Sequence, residues 1–308
     1  MRLEGVSCAL SCCFCIVGET KRLGRVPEPS RSGAAPPPRA EILRDVDAVL
    51  RGAPPGRQAK IFADDILEFD GVLDILAAYR RRGQHCTLTT PGLRLADPAF
   101  ARAVSRFDVS FCITYLARTP GVYAAMTDNP RAQDQVERAI ANMRRLGIQF
   151  HVNCILTRHN LRELAGVARY ILLEEAQSHF TIVNFYLERC LLEANPAASE
   201  LFAPLPDLRE PLSDIRKLVL RHDKDVALVD IPPCQLNPEI RRCARFHFEF
   251  AHPPDFKACS PEPMFNPPSC RRCVLAAQCS RVSAHYCRLV QPRITLPPLT
   301  AADLSGSS

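Results

Sequence analysis

Lysine is scarce in this chain of 308 residues. Only five are present, so the net charge of +6 is carried almost wholly by arginine. No compact run of Lys and Arg with interleaved aromatics occurs, and a nucleic-acid partner is not expected. The arginine- and alanine-heavy composition reads as coding bias rather than as a binding face. No apolar run reaches the ~18–20 residues needed to span a bilayer. Val6–Val17 is apolar enough to imitate the core of a secretory signal, and Leu10-Ser11-Cys12 faintly resembles a lipoprotein signal. Yet Glu4 interrupts the basic end, and no small-x-small cleavage site follows. The expectation is a soluble cytoplasmic protein with no membrane partner. No Gly-rich phosphate fingerprint follows any candidate strand, and no internal repeat is found.

What is abundant is cysteine. Hydrophobic residues make up 47% and charged residues 23% of the chain. A globular core of that size needs no disulfide staples, and disulfide scaffolds are typically short secreted chains. The 15 cysteines therefore need another account. Cys86, Cys112, Cys154 and Cys190 are single residues in apolar runs and read as buried small hydrophobes. The others gather in two groups near the ends and read as metal ligands.

Between the groups, strand and helix patterns alternate. Met1–Ser7 reads as a strand leading into the first cysteines, and 26–38 as a loop. Helix is expected at Ala40–Leu50, Val72–Arg81, Asp97–Ser105, Arg131–Leu146 and Leu161–Leu172, the last capped by Asn160. Strands are expected at Lys60–Ala63, Cys86–Thr90, Val109–Tyr115, Phe150–Leu156 and Phe180–Tyr186. Six such strand-helix steps imply a parallel sheet with right-handed crossovers, either doubly wound or a partial barrel. Beyond residue 195, Pro204–Pro211 reads as a linker, Leu212–Arg221 as a helix and Val226–Asp230 as a strand. Residues 231–290 hold many prolines and seven cysteines and read as a small metal-stapled domain. Ile294–Ser308 reads as a flexible tail.

The first group is Cys8-Ala-Leu-Ser-Cys12-Cys-Phe-Cys15. Cys8, Cys12 and Cys15 are separated by three and then two residues, and Phe14 precedes the last. A zinc site or a cysteine-rich apolar strand is the plainer alternative, although zinc motifs usually pair two short arms at a distance. The spacing and its place after a first strand resemble the signature of the radical S-adenosylmethionine superfamily. That resemblance implies a 4Fe-4S cluster held by Cys8, Cys12 and Cys15. Each iron of such a cluster wants one thiolate if it only carries electrons; three thiolates leave one iron open, which in that family S-adenosylmethionine chelates. Cys13 is given no role. The resemblance, together with the missing Gly-rich fingerprint, favours an α/β fold in which residues 1–195 form a partial (βα)6 TIM-like barrel. Residues 196–230 then connect it to a cysteine-rich iron-sulfur domain at 231–290, with 291–308 as tail.

Members of the family often carry a Gly-Gly-Glu-Pro run that holds the amino group of S-adenosylmethionine. Here the matching stretch is Ala63-Asp64-Asp65-Ile66-Leu67, without the glycines or the proline. The resemblance implies that Asp65 stands in for the acid; a plain strand end is the alternative. Functional groups of βα barrels sit at the C-terminal ends of the strands. Thr90, Thr114 and Asn153 are therefore candidates for ribose or carboxylate contacts, with Asn184 a further one. Each serves equally as a cap or a satisfied core group. His151 and His159 read as structural or exposed.

The second group, Cys270-Arg-Arg-Cys273-Val-Leu-Ala-Ala-Gln-Cys279, resembles the C-terminal domain of the SPASM and twitch subfamilies. It departs from them in having Ser280 where a glycine is usual. The resemblance implies an auxiliary 4Fe-4S cluster on Cys270, Cys273 and Cys279 with Cys234 favoured as fourth ligand. Cys243, Cys259 and Cys287 are the other candidates, and a zinc ribbon is the alternative.

The implied function is reductive cleavage of S-adenosylmethionine to a 5′-deoxyadenosyl radical that abstracts hydrogen from a peptide or protein substrate. The partners implied are that substrate and an external electron donor such as a flavodoxin or ferredoxin. A synthase acting on a small-molecule cofactor precursor and a non-enzymatic zinc or electron-transfer protein are the other readings. Because the motif starts at residue 8, no separate N-terminal recognition domain is expected.

Overall fold

The structure, a computed structural model, describes residues 8–15, 39–52, 65–184, 196–250, 264–265, 268–279 and 282–305. The strands expected at Met1–Ser7 and Lys60–Ala63, the loop at 26–38, Cys190 and Cys259 lie outside the described residues. The chain divides into two compact units: residues up to Tyr115 together with Tyr123–His151, and Leu116–Val122 together with Val152 onward.

In the first unit, α1 (Arg39–Gly52) and α2 (Val72–Arg81) are amphipathic. Ile42, Val46 and Leu50 of α1 are buried, as are Val72, Ile75, Leu76 and Tyr79 of α2, the three-and-four spacing that puts apolar residues on one helix face. β1 (Cys86–Thr90) alternates buried and exposed residues. α3 (Pro98–Val104) begins with proline at its first turn, and the Asp97 carboxylate accepts the Ala99 N–H at 2.9 Å. β2 (Val109–Thr114) pairs in parallel with β1, Cys86 opposite Val109 and Thr90 opposite Ile113. A short helix, α4 (Pro120–Thr127), precedes α5 (Ala132–Leu146). α5 buries Val136, Ala139, Ile140 and Met143 and ends at Gly147, whose positive φ of 65° lets its N–H close on the Arg144 and Met143 carbonyls.

β3 (Gln149–Leu156) carries the chain into the second unit. There follow α6 (Leu164–Arg169), extended by a wide π turn over Tyr170–Glu174, then β4 (His179–Asn184), α7 (Arg209–His222), β5 (Asp225–Val229), α8 (Pro238–Arg241) and β6 (Phe246–Glu249). β3–β4, β4–β5 and β5–β6 are all parallel. In sheet order the strands run β1 to β6, which is also chain order. Each parallel neighbour therefore needs a crossover, and the helices supply it. A two-residue antiparallel pair, β7 (Met264–Phe265) with β8 (Val282–Ser283), lies apart from this sheet. α9 (Pro268–Arg271), α10 (Ala284–Leu289) and α11 (Ala301–Leu304) complete the described chain.

Three expectations change. The sheet does not stop near residue 195: β5 and β6 extend it to Glu249, because Val226, Leu228 and Phe246 are buried on the same side as Phe180 and Ile182. Pro204–Pro211 is not an open linker, since Leu205 and Leu208 are buried in a 3-10 turn leading into α7. Residues 294–305 are not a free tail. Ile294, Leu296 and Leu299 are buried, and Thr300 and Asp303 form a reciprocal capping box on α11. Spaced apolar residues between prolines anchor an extended strap without any helical or strand period.

Asn160 also has another place than the expected helix cap. Its side chain donates to the Leu116 and Ile155 carbonyls, each at 2.9 Å, and accepts from the Thr157 N–H at 2.8 Å. Fully buried, it ties the end of β3 to the segment after β2 and satisfies backbone groups there.

Candidate iron-sulfur and S-adenosylmethionine sites

The first cysteine group is a loop held by backbone. The Cys15 N–H donates to the Cys12 carbonyl at 3.0 Å, closing a turn over Cys12–Cys15. The Ser11 N–H donates to the Thr127 carbonyl at 3.1 Å and the Cys13 N–H to that of Met126 at 2.9 Å. Those two carbonyls lie in the last turn of α4, where a helix has acceptors without intrahelical partners. α4 is thus the element that positions the cysteines, and the sequence reading passed over it. Its signal was present: Pro120 at the first turn of an apolar stretch, masked by the turn-like Pro120-Gly121 pair.

Burial, and then the neighbouring Cys15, Cys8 and Cys13 in that order, push the Cys12 thiol up to about 12. Cys13 adjoins Cys12 in sequence, yet it has the smallest influence of the three. The Leu10 N–H donates to Cys8 Sγ at 3.4 Å, a contact of the kind that tunes cluster thiolates. Thiols that raise one another cannot all ionise without a cation among them, so the donor set suits an iron-sulfur group.

Asp65 and Thr90 meet directly. Thr90 Oγ1 donates to Asp65 Oδ1 at 2.7 Å and accepts from the Gly92 N–H at 2.9 Å. The Leu67 N–H donates to the same Asp65 oxygen at 3.1 Å. Gly92 holds a positive φ of 79°, which lets the chain turn back on Thr90 at the end of β1. The other carboxylate oxygen, Asp65 Oδ2, is buried and has no hydrogen-bond partner among the described residues. Burial outweighs the Thr90 and Leu67 hydrogen bonds and pushes Asp65 up to about 6. A buried acceptor without a donor costs free energy, and an amino N–H is the group that would satisfy it. The Thr90 hydroxyl, committed on both sides, fixes Asp65.

The remaining candidates are spread out. Thr114 is half-buried, and its carbonyl accepts from Tyr123 Oη at 3.3 Å. Tyr115 Oη donates to Glu137 Oε1 at 2.6 Å. Asn153 is half-buried in the second unit, opposite Thr181 of β4. The Asn184 amide donates to the Asp230 carbonyl at 3.1 Å, and His151 and His159 are exposed.

The second cysteine group draws on three parts of the second unit. Asp230, buried with a positive φ of 55°, turns the chain off β5; Asp is among the few residues that tolerate this region. Pro232 and Pro233 then start the 3-10 turn that carries Cys234. Burial, followed by Cys279, Cys270 and Cys273, pushes the Cys234 thiol up to about 12, against a hydrogen bond from Gln235. Cys243 and Cys287 are buried. The strap of residues 294–305 completes the setting. The Leu299 N–H donates to Cys273 Sγ at 3.5 Å, the Leu299 carbonyl accepts from the Val274 N–H at 2.9 Å, and Gln235 Nε2 donates to the Thr295 carbonyl at 2.7 Å.

Among the described residues no cysteine forms a disulfide. Among the described residues, no three His, Cys, Asp or Glu converge as ligands of a single metal ion. Cys86, Cys112 and Cys154 are buried in the strands, and burial pushes Cys86 and Cys154 up to about 12, so they are inert. No helix among the described residues is long and apolar enough to cross a membrane.

No protein-family profile matches the sequence, and no curated protein matches it. Solved structures do match. Streptococcus suis SuiB bound to S-adenosylmethionine gives a TM-score of 0.55 over 74% of this chain and 48% of its own, at 12% identity. SuiB bound to the precursor peptide SuiA gives 0.55 over 80% and 48%, also at 12% identity. Native anSMEcpe with bound AdoMet gives 0.54 over 74% and 63%, at 17% identity. The chain thus spans about half the length of the SuiB structures and less than two thirds of anSMEcpe. What is shared at such identity is architecture: the six parallel strands and their helices form the partial barrel of the radical S-adenosylmethionine fold.

Proposed function

We propose that this chain is a radical S-adenosylmethionine enzyme acting on a peptide or protein. In this reading Cys8, Cys12 and Cys15 hold a 4Fe-4S cluster with one open iron. Cys234, Cys270, Cys273 and Cys279 hold a closed auxiliary cluster. Bound in the first unit, cluster and S-adenosylmethionine would supply reductive C–S cleavage and a 5′-deoxyadenosyl radical able to take hydrogen from a substrate carbon. The chain's own part is to bind and orient. Asp65 Oδ2 accepts the amino N–H of S-adenosylmethionine, and Thr90, held by Gly92, keeps that carboxylate aimed. α4 carries the cysteine loop on its terminal carbonyls. Thr114 is the candidate in this unit for a ribose or carboxylate contact.

The observation that carries this reading is the pairing of a three-thiol loop with a buried, half-satisfied carboxylate in the same unit. Support for a peptide substrate comes from the structures of similar fold that hold one: SuiA on SuiB, and the Kp18Cys peptide on anSMEcpe. The electron would come from an external donor such as a flavodoxin or ferredoxin.

The test is anaerobic reconstitution followed by assay for 5′-deoxyadenosine with S-adenosylmethionine and dithionite. Wild-type protein should release it. The triple replacement of Cys8, Cys12 and Cys15 by alanine should abolish release while roughly four irons per chain remain, the content of one cubane. Undiminished release from the triple variant would overturn the assignment.

A further inference from the structure

We infer that the edge of β6 left unpaired among the described residues is a docking site for an extended, acidic peptide segment, which adds to the sheet as a further strand. The inference rests on the peptide-substrate reading above. Among the described residues no strand pairs with β6 on its far side. The Val226 N–H donates to the Arg245 carbonyl, and the Asp230 N–H to that of Glu249, each at 2.9 Å. In a parallel pair the groups facing one neighbour come from alternate residues. Positions 245, 247 and 249 therefore serve β5, and the N–H and carbonyl of Phe248 face outward. Such an edge is a template for another strand, and strand addition is a recurring mode of peptide capture.

A cleft of about 490 Å³ runs along this edge. Phe246, Phe248 and Phe250 line it from the β6 side, and Leu275 and Gln278 from the turn between Cys273 and Cys279. A strand laid on β6 would thus press one row of side chains against apolar groups beside the second cysteine group. Charge selects the occupant. Arg241 and Arg242 both line the cleft. Arg241 is tied to the Leu236 carbonyl at 3.3 Å and lies 3.5 Å from Asp303, with its Nε buried and unpartnered. Asp303 is itself engaged by the Thr300 N–H and hydroxyl. Arg242, exposed at the preceding turn, acts on Asp303 as well, but its side chain makes no hydrogen bond or ion pair among the described residues and adds positive charge at this end of the cleft. His247 and Glu249 are exposed on the same strand, so an acidic residue is best placed near the Arg242 end.

The probe is the fluorescein-labelled pentapeptide Ile-Asp-Val-Glu-Val, amidated at its C-terminus and titrated by anisotropy against the anaerobically reconstituted full chain. Saturable binding is expected, weakened at least tenfold by N-methylating alternate peptide amides, which removes the strand hydrogen bonds without touching the protein. Arg242→Glu should weaken it at least tenfold as well, with uncoupled 5′-deoxyadenosine release unchanged. No saturable binding, or binding indifferent to either change, would overturn the inference. If 5′-deoxyadenosine is released while the peptide fails to bind, the docking site alone is wrong. If none is released by the wild type, the enzymatic reading fails whatever the peptide does.

Discussion

The two cysteine groups solve one problem in opposite ways. The first places all its thiols within eight consecutive residues, on a turn fastened by two backbone hydrogen bonds to the end of α4. The second gathers Cys234 from the end of β5, three cysteines from a loop 36 and more residues later in the chain, and a backbone donor from the strap at Leu299. A local group keeps its spacing whatever the rest of the chain does. A dispersed group exists only once the unit has folded. In the proposed reading, local spacing suits a site that must stay open at one corner, because three thiols in so short a turn would leave the fourth iron to a ligand from elsewhere. Dispersed ligation suits a closed cluster that clasps chain segments together, where metal binding and folding are linked.

The sharpest break of that comparison is at Cys234. Cys234→Ala is expected to remove the second cluster, halving iron per chain and lowering the thermal midpoint, while Cys243→Ala and Cys287→Ala leave the iron content as it is. Iron analysis and unfolding followed by circular dichroism on anaerobic protein read both. Full iron in Cys234→Ala would mean that the fourth ligand lies elsewhere and that β5 does not contribute to the clasp.

This contrast also explains how much was legible beforehand. The first group could be picked out from its spacing, but its fastening to the terminal carbonyls of α4 could not. The parallel alternation of strands and helices from β1 to β4 was legible from periodicity. The extension of the sheet through β6 was not: Phe246–Glu249 is four residues long and flanked by cysteine and proline, so it reads as part of a stapled loop. α4 and the 294–305 strap escaped for a related reason. Each is short, and each is fixed by what it touches, such as Met126 and Thr127 under the cysteine loop or Leu299 beside Cys273, rather than by a repeat in its own sequence. Asn160 reads as a cap from its place before an apolar run, but the fold uses its amide to hold two strand ends.

A smaller effect is expected at Asp65, which the proposed function places in the local site but which is reached only through the fold. A hydrogen bond to a charged group is worth about 1.5–3 kcal/mol, so Asp65→Asn should weaken S-adenosylmethionine binding roughly ten- to hundredfold. Wild-type binding should also weaken as pH falls below about 6, where Asp65 takes up a proton, and Asp65→Asn should lose that dependence. Stability of the ligand-free chain moves the other way. The folded value lies above the ordinary 3.8, so the folded chain holds more protons between about 4 and 6, and stability falls as pH rises through that window. Calorimetric titration and thermal melts across pH 4–8 separate the two. A pH-independent affinity in the wild type would remove Asp65 from the site.

The smallest expected effect is the most discriminating between an open and a closed first cluster. Cys13 sits among the thiols of the proposed cluster loop and is half-buried like them, yet its charge acts on Cys12 less than that of Cys8 or Cys15. It gives its backbone N–H to Met126, which a side-chain replacement leaves in place. Cys13→Ala should therefore keep iron content and change 5′-deoxyadenosine release by less than about twofold, within the ±0.5 kcal/mol typical of replacements away from special features. If Cys13 instead occupied the fourth iron, its removal would free that corner, and both affinity for S-adenosylmethionine and release would rise. A marked gain in Cys13→Ala would thus turn the first group into a closed site that must shed a thiolate before it can act, and the contrast between the two groups would vanish.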